Sequence, residues 1–357
     1  MTPRTPLLAA CLLALLAPPA QFPARAADVP ASRQADWTAA AFRFHSGETM
    51  DLRIHYVTLG EPSGEPVLVL HGTGGTGTGM VSPAFAGELF GPGQPLDART
   101  HFIILPDAIG AGGSSKPSDG MRARFPHYDY ADMVEAQYRL LTEALGIRRL
   151  RLVLGNSMGG MEAWVWGTAH PGFADALVPM ASQPSAMAAR NWMMRRLLIE
   201  SIRQDPAYAG GDYTAQPPSL RLANAMFGIA TNGGTLNYQA QGATHARADD
   251  LVDAALSVPP PTDANDFIWQ WDASADYDPA PLLDRVTVPV LAINSADDER
   301  NPPETGVTAA ALARLPHGEL FLIPASAETR GHGTTGFARF WAVRLGTFLA
   351  GVPKRPS

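Results

Sequence analysis

The chain has 357 residues, 46% of them hydrophobic and 17% charged, with 34 Gly, 32 Pro and one Cys. That balance excludes intrinsic disorder, a collagen-like repeat and a disulfide scaffold. Lys and Arg total 27 against 34 Asp and Glu, a formal net charge of −7, so binding to a nucleic acid would need a local basic patch, and the sequence offers none.

The chain opens with a targeting pattern. Arg4 precedes an apolar run from Leu7 to Ala17, and Ala24-Arg25-Ala26 supplies small residues for cleavage. Residues 1–26 are therefore expected to form a secretory signal peptide, leaving the protein periplasmic or secreted. The run is too short, and too broken by Pro18-Pro19, to span a bilayer, and no later stretch is long enough, so no membrane span is expected. Leu8-Ala9-Ala10-Cys11 is similar to a lipidation box, but the apolar run continues past Cys11, which argues against an anchor. Once Cys11 is removed the chain has no thiol, and Cys nucleophiles and Cys-based metal sites drop out.

Farther along, Phe42-Arg43-Phe44 and Leu52 to Val57 alternate around Ser46-Gly47-Glu48, the pattern of a hairpin. Apolar runs at 67–70, 102–105, 151–154, 176–180, 288–293 and 320–323 each end at a loop containing Gly, Pro or Asp. Their near-continuous Val, Ile and Leu content predicts strands buried on both faces. Tyr130 to Leu145 follows a 3.6-residue period closed by Gly146, and Phe337 to Leu349 is predicted as the closing helix. Strands alternating with helices imply an α/β fold with a mostly parallel sheet flanked by helices. From about Gln183 to Arg285 the rhythm stops, and helical pieces such as Asn191 to Arg203 are separated by Gly210-Gly211, Asn232-Gly233-Gly234 and Pro259-Pro260-Pro261. The expected organisation is a core of residues 27–182 and 286–357 with a helical lid insertion at 183–285.

Arg151-Leu152-Val153-Leu154 leads into Gly155-Asn156-Ser157-Met158-Gly159, and Met161 to Ala169 reads as helix. A Gly-x-Ser-x-Gly between strand and helix is the setting of a nucleophile elbow, where small neighbours admit a strained serine. A serine hydroxyl needs a His to take its proton and an acid to hold that His in one tautomer. In the chain order Ser, acid, His, the acid should follow the strand at 288–293, where Asp297 and Asp298 are adjacent. Asp298 is preferred, Asp297 remains a rival, and the unused acid is expected to be solvated. Gly331-His332-Gly333 follows the last strand, so His332 is the candidate base, whereas His317 precedes that strand and reads as a surface residue. The oxyanion of an acyl intermediate needs two N–H donors. One falls on Met158; the other is placed on Thr73, in the Gly-rich turn after the strand at 67–70, with His71 expected to fix that turn by hydrogen bonding.

The same turn, Gly72-Thr73-Gly74-Gly75-Thr76-Gly77, satisfies G-x-G-x-x-G, and the next strand ends in Asp107, so a dinucleotide-binding oxidoreductase is an alternative from another class. Against it, Thr76 to Val81 starts a helix poorly and Asp107 lies farther on than the roughly 20 residues expected. A pseudoenzyme that keeps the fold to bind a partner is a third reading, opposed by the intact Ser, Asp and His.

Further motifs narrow the choice: Gly91-Pro92-Gly93-Gln94-Pro95-Leu96-Asp97, Gly110 to Ser118, Phe125-Pro126 with Asp132 and Gln137, Leu145-Gly146-Ile147, the elbow from Gly155 to Trp164, and Asp205-Pro206 followed by Gly211-Asp212-Tyr213. With these the sequence resembles the α/β-hydrolase superfamily and, within it, the homoserine O-acetyltransferase-like group. The resemblance implies an α/β-hydrolase fold and acyl-enzyme chemistry. Transferases of that group usually follow the catalytic His with an Asp that holds the ammonium of homoserine, whereas Gly333 follows His332 here. Their oxyanion loop is replaced by the Gly-rich His71 to Gly79, and export would separate the enzyme from acyl-CoA. The expectation is therefore an exported serine hydrolase that cleaves an ester, or an amide, through acyl-Ser157. His332 would act as general base and acid, Asp298 would orient it, Met158 and Thr73 would bind the oxyanion, and water would release the acyl group. An O-acyltransferase of the homoserine O-acetyltransferase type is the alternative. The expected partner is a small-molecule ester or acyl substrate, with no metal or organic cofactor; the oligomeric state stays open, a homodimer included. Trp192, Met193, Met194, Phe227 and Trp269 are candidate apolar walls of the pocket, with ordinary packing as their competing role.

Overall fold

The computed structural model describes residues 30–259 and 262–354. The expected signal peptide and Cys11 lie outside the described residues. Eight strands follow the apolar runs: β1 Ser32–Arg43, β2 Thr49–Leu59, β3 Glu65–Leu70, β4 His101–Pro106, β5 Leu152–Asn156, β6 Leu177–Met180, β7 Val290–Ser295 and β8 Gly318–Ile323. They form one sheet in the order β1-β2-β4-β3-β5-β6-β7-β8. β1 and β2 are the expected hairpin, β2 also pairs antiparallel with β4, and every later pairing is parallel.

Period-2 geometry divides the apolar residues of each strand between two cores. Val67 and Val69 of β3, with Leu152 and Leu154 of β5, pack with Phe85, Leu89, Trp341 and Leu345 on one face. Leu68, Leu70 and Val153 point the other way and pack with Trp164 and Trp166. β8 departs from the expected two-sided burial, because among the described residues no strand lies beyond it; Leu320 and Leu322 are 40% and 37% exposed. Composition alone does not separate this edge run from the buried ones.

The longer helices are α1 Tyr130–Arg139, α2 Met158–Ala169, α3 Ala189–Arg203, α4 Pro218–Thr231, α5 Thr235–Gln241, α6 His245–Ser257, α7 Ala264–Asp272 and α8 Ala342–Gly351. α1 begins at a capping box formed by Asp129 and Asp132 and runs into a wider turn at Leu140–Ala144, where Leu145 N–H donates to Leu140 O at 3.1 Å. Gly146, at φ +67°, follows. The closing helix starts later than predicted: Trp341 is non-helical, and Ala338–Phe340 form a separate turn held by Ala338 N–H to Ala84 O at 2.9 Å. Between β6 and β7 the described residues contain α3 to α7 and no strand. Among the described residues no helix is long and apolar enough to cross a membrane.

α2 is buried nearly all round and carries a buried carboxyl, Glu162, which accepts from Gln137 Nε2 while Gln137 Oε1 accepts from Trp166 Nε1 at 2.7 Å. Burial pushes Glu162 up to about 8, against a weaker opposing effect of the Gln137 bond. The folded state therefore keeps a proton that the unfolded chain loses above about 4.5, so stability falls as pH rises from there to about 8. Glu162→Gln should flatten this dependence, read as the urea midpoint measured across the same interval; a slope equal to the wild type's would assign the pH effect elsewhere.

Candidate active site

β5 ends at Asn156 and α2 begins at Met158, leaving Ser157 between them at φ 57° and ψ −109°, a conformation that a side chain rarely adopts. Close backbone approach holds it there. A Cβ on Gly155 would run into the carbonyl of Gly159, one on Gly159 into the carbonyl of Leu70, and one on Gly160 into the carbonyl of Met180. The start of α2 thus sits directly on the ends of β3 and β6. Ser157 N–H donates to Met180 O at 2.9 Å and Gly159 N–H to His71 O at 3.0 Å.

The structure brings Ser157, His332 and Asp298 together. Ser157 Oγ lies 2.7 Å from His332 Nε2, and His332 Nδ1 lies 3.0 and 3.1 Å from the two carboxylate oxygens of Asp298. All three side chains are buried. Asp298 Oδ1 also accepts from the N–H groups of Arg300 (2.8 Å) and Asn301 (3.0 Å), and Oδ2 from Asn301 Nδ2 (3.2 Å). Burial alone would raise the Asp298 pKa; the imidazole and the Asn301 donors outweigh it and hold the carboxyl below its ordinary value. Burial lowers the His332 pKa, Asp298 raises it and Arg300 and Arg195 lower it, with a net value below 6.5. At neutral pH the carboxylate is charged and the imidazole neutral, so Nδ1 donates to Asp298 and Nε2 is free to accept the serine proton.

Asp297 does not reach the ring, nor is it the solvated spare that the sequence suggested. It accepts from Thr329 Oγ1 at 2.7 Å, from Gly331 N–H at 3.3 Å and from the Ser295 hydroxyl, tying the turn that carries His332 to the loop after β7. His317 is exposed, as expected. His71 Nδ1 donates to Gly72 O at 2.8 Å and its Nε2 accepts from Ala108 N–H at 3.0 Å, an arrangement that needs the neutral ring favoured by its burial. The ring therefore fixes the Gly-rich turn. A Cβ on Gly72 would lie 3.3 Å from Ser157 Cβ, so the turn passes against the serine, and Thr73 follows at once. On the other side Met158 is the first residue of α2, where a helix leaves its N–H groups without intrahelical acceptors.

The dinucleotide alternative loses its acid. Asp107 Oδ1 accepts from Gly77 N–H at 2.6 Å and Oδ2 from Gly113 N–H at 2.8 Å, so both oxygens are engaged by backbone, and the Gly-rich turn opens only the short helix Gly77–Met80. Of the proposed pocket walls, Met193 is 65% exposed and does not line an interior, while Trp269 anchors α7 by donating to the carbonyls of Phe125 and Pro126, each at 3.2 Å. Trp192 and Met194 are partly exposed; Phe227 is buried against Trp271 with ring centroids 4.7 Å apart. The sequence reading did not single out Asn301, Gln270, Trp271, Arg195 or Arg300. His45, Asp129 and Asp132 bring potential metal-ligand atoms within 4.8 Å of one another at the start of α1, but those carboxylates are already spent on the capping box and on His45.

A family model described as alpha/beta hydrolase fold matches residues 65–328. The chain belongs to the α/β-hydrolase fold family. It is 36% identical over 188 residues to a homoserine O-acetyltransferase of Thermobifida fusca, covering 48% of this chain and 49% of that relative, so it spans about half of that protein's length. A probable acyltransferase of Methanothermobacter thermautotrophicus is 29% identical over 290 residues, 79% of this chain and 87% of the relative. Among solved structures, an acetylester hydrolase from Corynebacterium glutamicum superposes with a TM-score of 0.76 at 22% identity, over 89% of this chain and 96% of that one.

Because Ser157 is held at positive φ, Ser157→Gly should be more stable than Ser157→Ala. The expected difference is about 1 kcal/mol, the backbone strain relieved less the entropy that glycine loses. Paired urea titrations check it; equal midpoints would mean that the elbow stores no strain.

Proposed function

We propose that this α/β-hydrolase is a serine acyltransferase acting on short acyl groups through an acyl-Ser157 intermediate. The observation that carries the reading is the 2.7 Å contact between Ser157 Oγ and a neutral His332 Nε2 whose other nitrogen is held by a buried carboxylate. Ser157 Oγ attacks the donor carbonyl as His332 takes its proton, and the N–H groups of Met158 and Thr73 receive the oxyanion. The leaving group departs with the proton from His332. An acceptor hydroxyl then binds, gives its proton to His332 and attacks the acyl carbon; the bond to Ser157 Oγ breaks as His332 returns that proton to Oγ, which restores the free serine and the neutral imidazole.

Transfer ranks above the hydrolysis that the sequence first suggested because relatives named as acyltransferases cover the chain in part and in most of its length. Release to water is the second reading, supported by Gly333 in place of an acidic residue after His332 and by the acetylester hydrolase of matching fold. Export, expected from residues 1–26, is carried as part of the proposal.

Fluorophosphonate should label the protein and lose its target in Ser157→Ala. Asp298→Asn should lower kcat by about 10⁴-fold by presenting the wrong tautomer, and Asp297→Asn, one bond removed from the ring, by about tenfold at most. The acid limb of kcat/KM should have its midpoint below 6.5, since activity needs the neutral imidazole and His332 gives up its proton more readily than an ordinary histidine. Equal losses in the two Asp variants would remove the orienting role of Asp298, and labelling confined to the cytoplasmic fraction of cells expressing the full chain would remove export.

The two readings separate when p-nitrophenyl acetate is offered with and without alcohol acceptors, homoserine among them, and the products are resolved by mass spectrometry. Acetylated acceptor formed in proportion to acceptor concentration is expected; acetate as sole product across the acceptor set would make the enzyme a hydrolase.

A further inference from the structure

Two arginines near the candidate triad carry charge that no carboxylate among the described residues pairs with. Arg195, on α3, is 1% exposed, and its guanidinium donates to Asn191 Oδ1 at 2.9 Å and Ser274 Oγ at 3.1 Å, both neutral. Arg300, two residues beyond Asp298, uses its Nε to donate to Thr231 Oγ1 at 3.0 Å, again neutral. Among the described residues its two terminal nitrogens have no hydrogen-bond partner, and neither arginine makes an ion pair. Both guanidiniums lie over the ring of Trp271, at 4.9 Å for Arg195 and 5.5 Å for Arg300, and Arg300 also lies 4.5 Å from the Phe227 ring.

Enclosing a cation costs several kcal/mol, and a second cation beside it adds repulsion. Aromatic faces return only a part of that cost. Arg195 is fully enclosed and Arg300 partly exposed; the Arg300 pKa is held down to about 9 by burial first and by Arg195 second, still charged at neutral pH. Both guanidiniums also act on His332, which places them within electrostatic reach of the reacting atoms. Of the nearest carboxyls, Asp298 is committed to the imidazole; Glu299 gives Oε1 to Gly234 N–H at 3.0 Å and leaves its buried Oε2 without a hydrogen-bond partner, yet it makes no ion pair with either arginine among the described residues.

We propose that Arg195 and Arg300 form an anion subsite beside Ser157 that holds a carboxylate carried by the substrate, with the partnerless fork of Arg300 as its principal donor. A planar carboxylate accepts two parallel N–H bonds from one guanidinium and supplies the missing counter-charge. This deepens the acyl-serine reading and rests on it: the enzyme's substrates are acidic esters or acidic alcohols.

The test uses two matched pairs. Mono-p-nitrophenyl succinate against p-nitrophenyl butyrate places the charge in the acyl half, and 3-acetoxypropionate against 3-acetoxypropanamide places it in the alcohol half. The wild type should favour the charged member of one pair by about tenfold or more in kcat/KM, the discrimination expected of one charge-assisted hydrogen bond. Arg300→Gln should collapse that ratio through KM, and Arg300→Lys should retain part of it. Calorimetry on Ser157→Ala gives the same comparison without turnover, with the acid expected to bind more tightly than the amide in the pair identified by the kinetics. Absence of discrimination in both pairs by the wild type would overturn the subsite, as would an Arg300→Gln variant that lowers Tm with the ratio intact, since the stack would then serve only to pin α3 and α4. Loss of fluorophosphonate labelling in the wild type is a separate failure, of the acyl-serine reading and not of the anion site.

Discussion

The close packing of the start of α2 on the ends of β3 and β6 is the constraint from which the rest of the site follows. Gly155, Gly159 and Gly160 leave no room for a Cβ, and the N–H groups of Ser157 and Gly159 bond to the carbonyls of Met180 and His71. One crossing therefore sets the height of Ser157 above the sheet and its offset from the Gly-rich turn after β3. A strained residue persists only where its surroundings over-determine it. Here the over-determination comes from a helix buried on almost every side, including Trp164 and Trp166. Burial of apolar surface in α2 offsets the strain at its first turn.

Two adjacent acids divide the work of placing His332. Asp298 turns inward, where backbone and amide donors stabilise its charge and the imidazole faces both its oxygens. Asp297 turns toward the loop that carries the histidine and bonds to Thr329 and Gly331. Ring and turn are thus each held by a carboxylate from the same loop. A buried carboxylate raises the basicity of the imidazole it faces, while desolvation and the two nearby guanidiniums lower it. The balance leaves a neutral imidazole, the form that the proposed mechanism requires.

The sheet was legible because its strands advertise themselves: β3 to β7 are dense apolar runs, and the hairpin alternates. The elbow was legible because its glycines answer a steric demand that few other residues meet. Asp297 and Asp298 could not be ordered from the sequence, since neighbouring residues of one loop point in different directions and no period governs a loop. Arg195 left a trace that was not read. It shares one helical face with Leu198, Ile199 and Ile202, all buried, whereas Met193, Arg196 and Leu197 are exposed. Helical phase was available to predict an inward arginine and an outward methionine; hydrophobicity alone argued for the reverse. The partial exposure of β8 had no local signal, because an edge is a property of what lies beside a strand.

The helical segment between β6 and β7 is bonded to the loops at the strand ends. Gln270 of α7, itself buried, accepts from Gly74 N–H at 2.9 Å and donates to Gly110 O, and Asp266 accepts from the N–H and hydroxyl of Ser118 at 2.8 and 2.6 Å. With the Trp269 bonds to Phe125 and Pro126, one helix is fastened to several loops above the strand ends, among them the turn that contains Thr73. Displacement of α7 therefore moves the proposed oxyanion donor, and a shift of about 1 Å at a reacting centre costs about 10²-fold in rate. In the proposed mechanism Ser157, His332 and Asp298 would serve hydrolysis and transfer alike, so their geometry does not choose between water and an acceptor. In that mechanism the choice would fall to the surroundings of the acyl group, and the Gln270 bonds couple the position of α7 to that of the turn that carries Thr73.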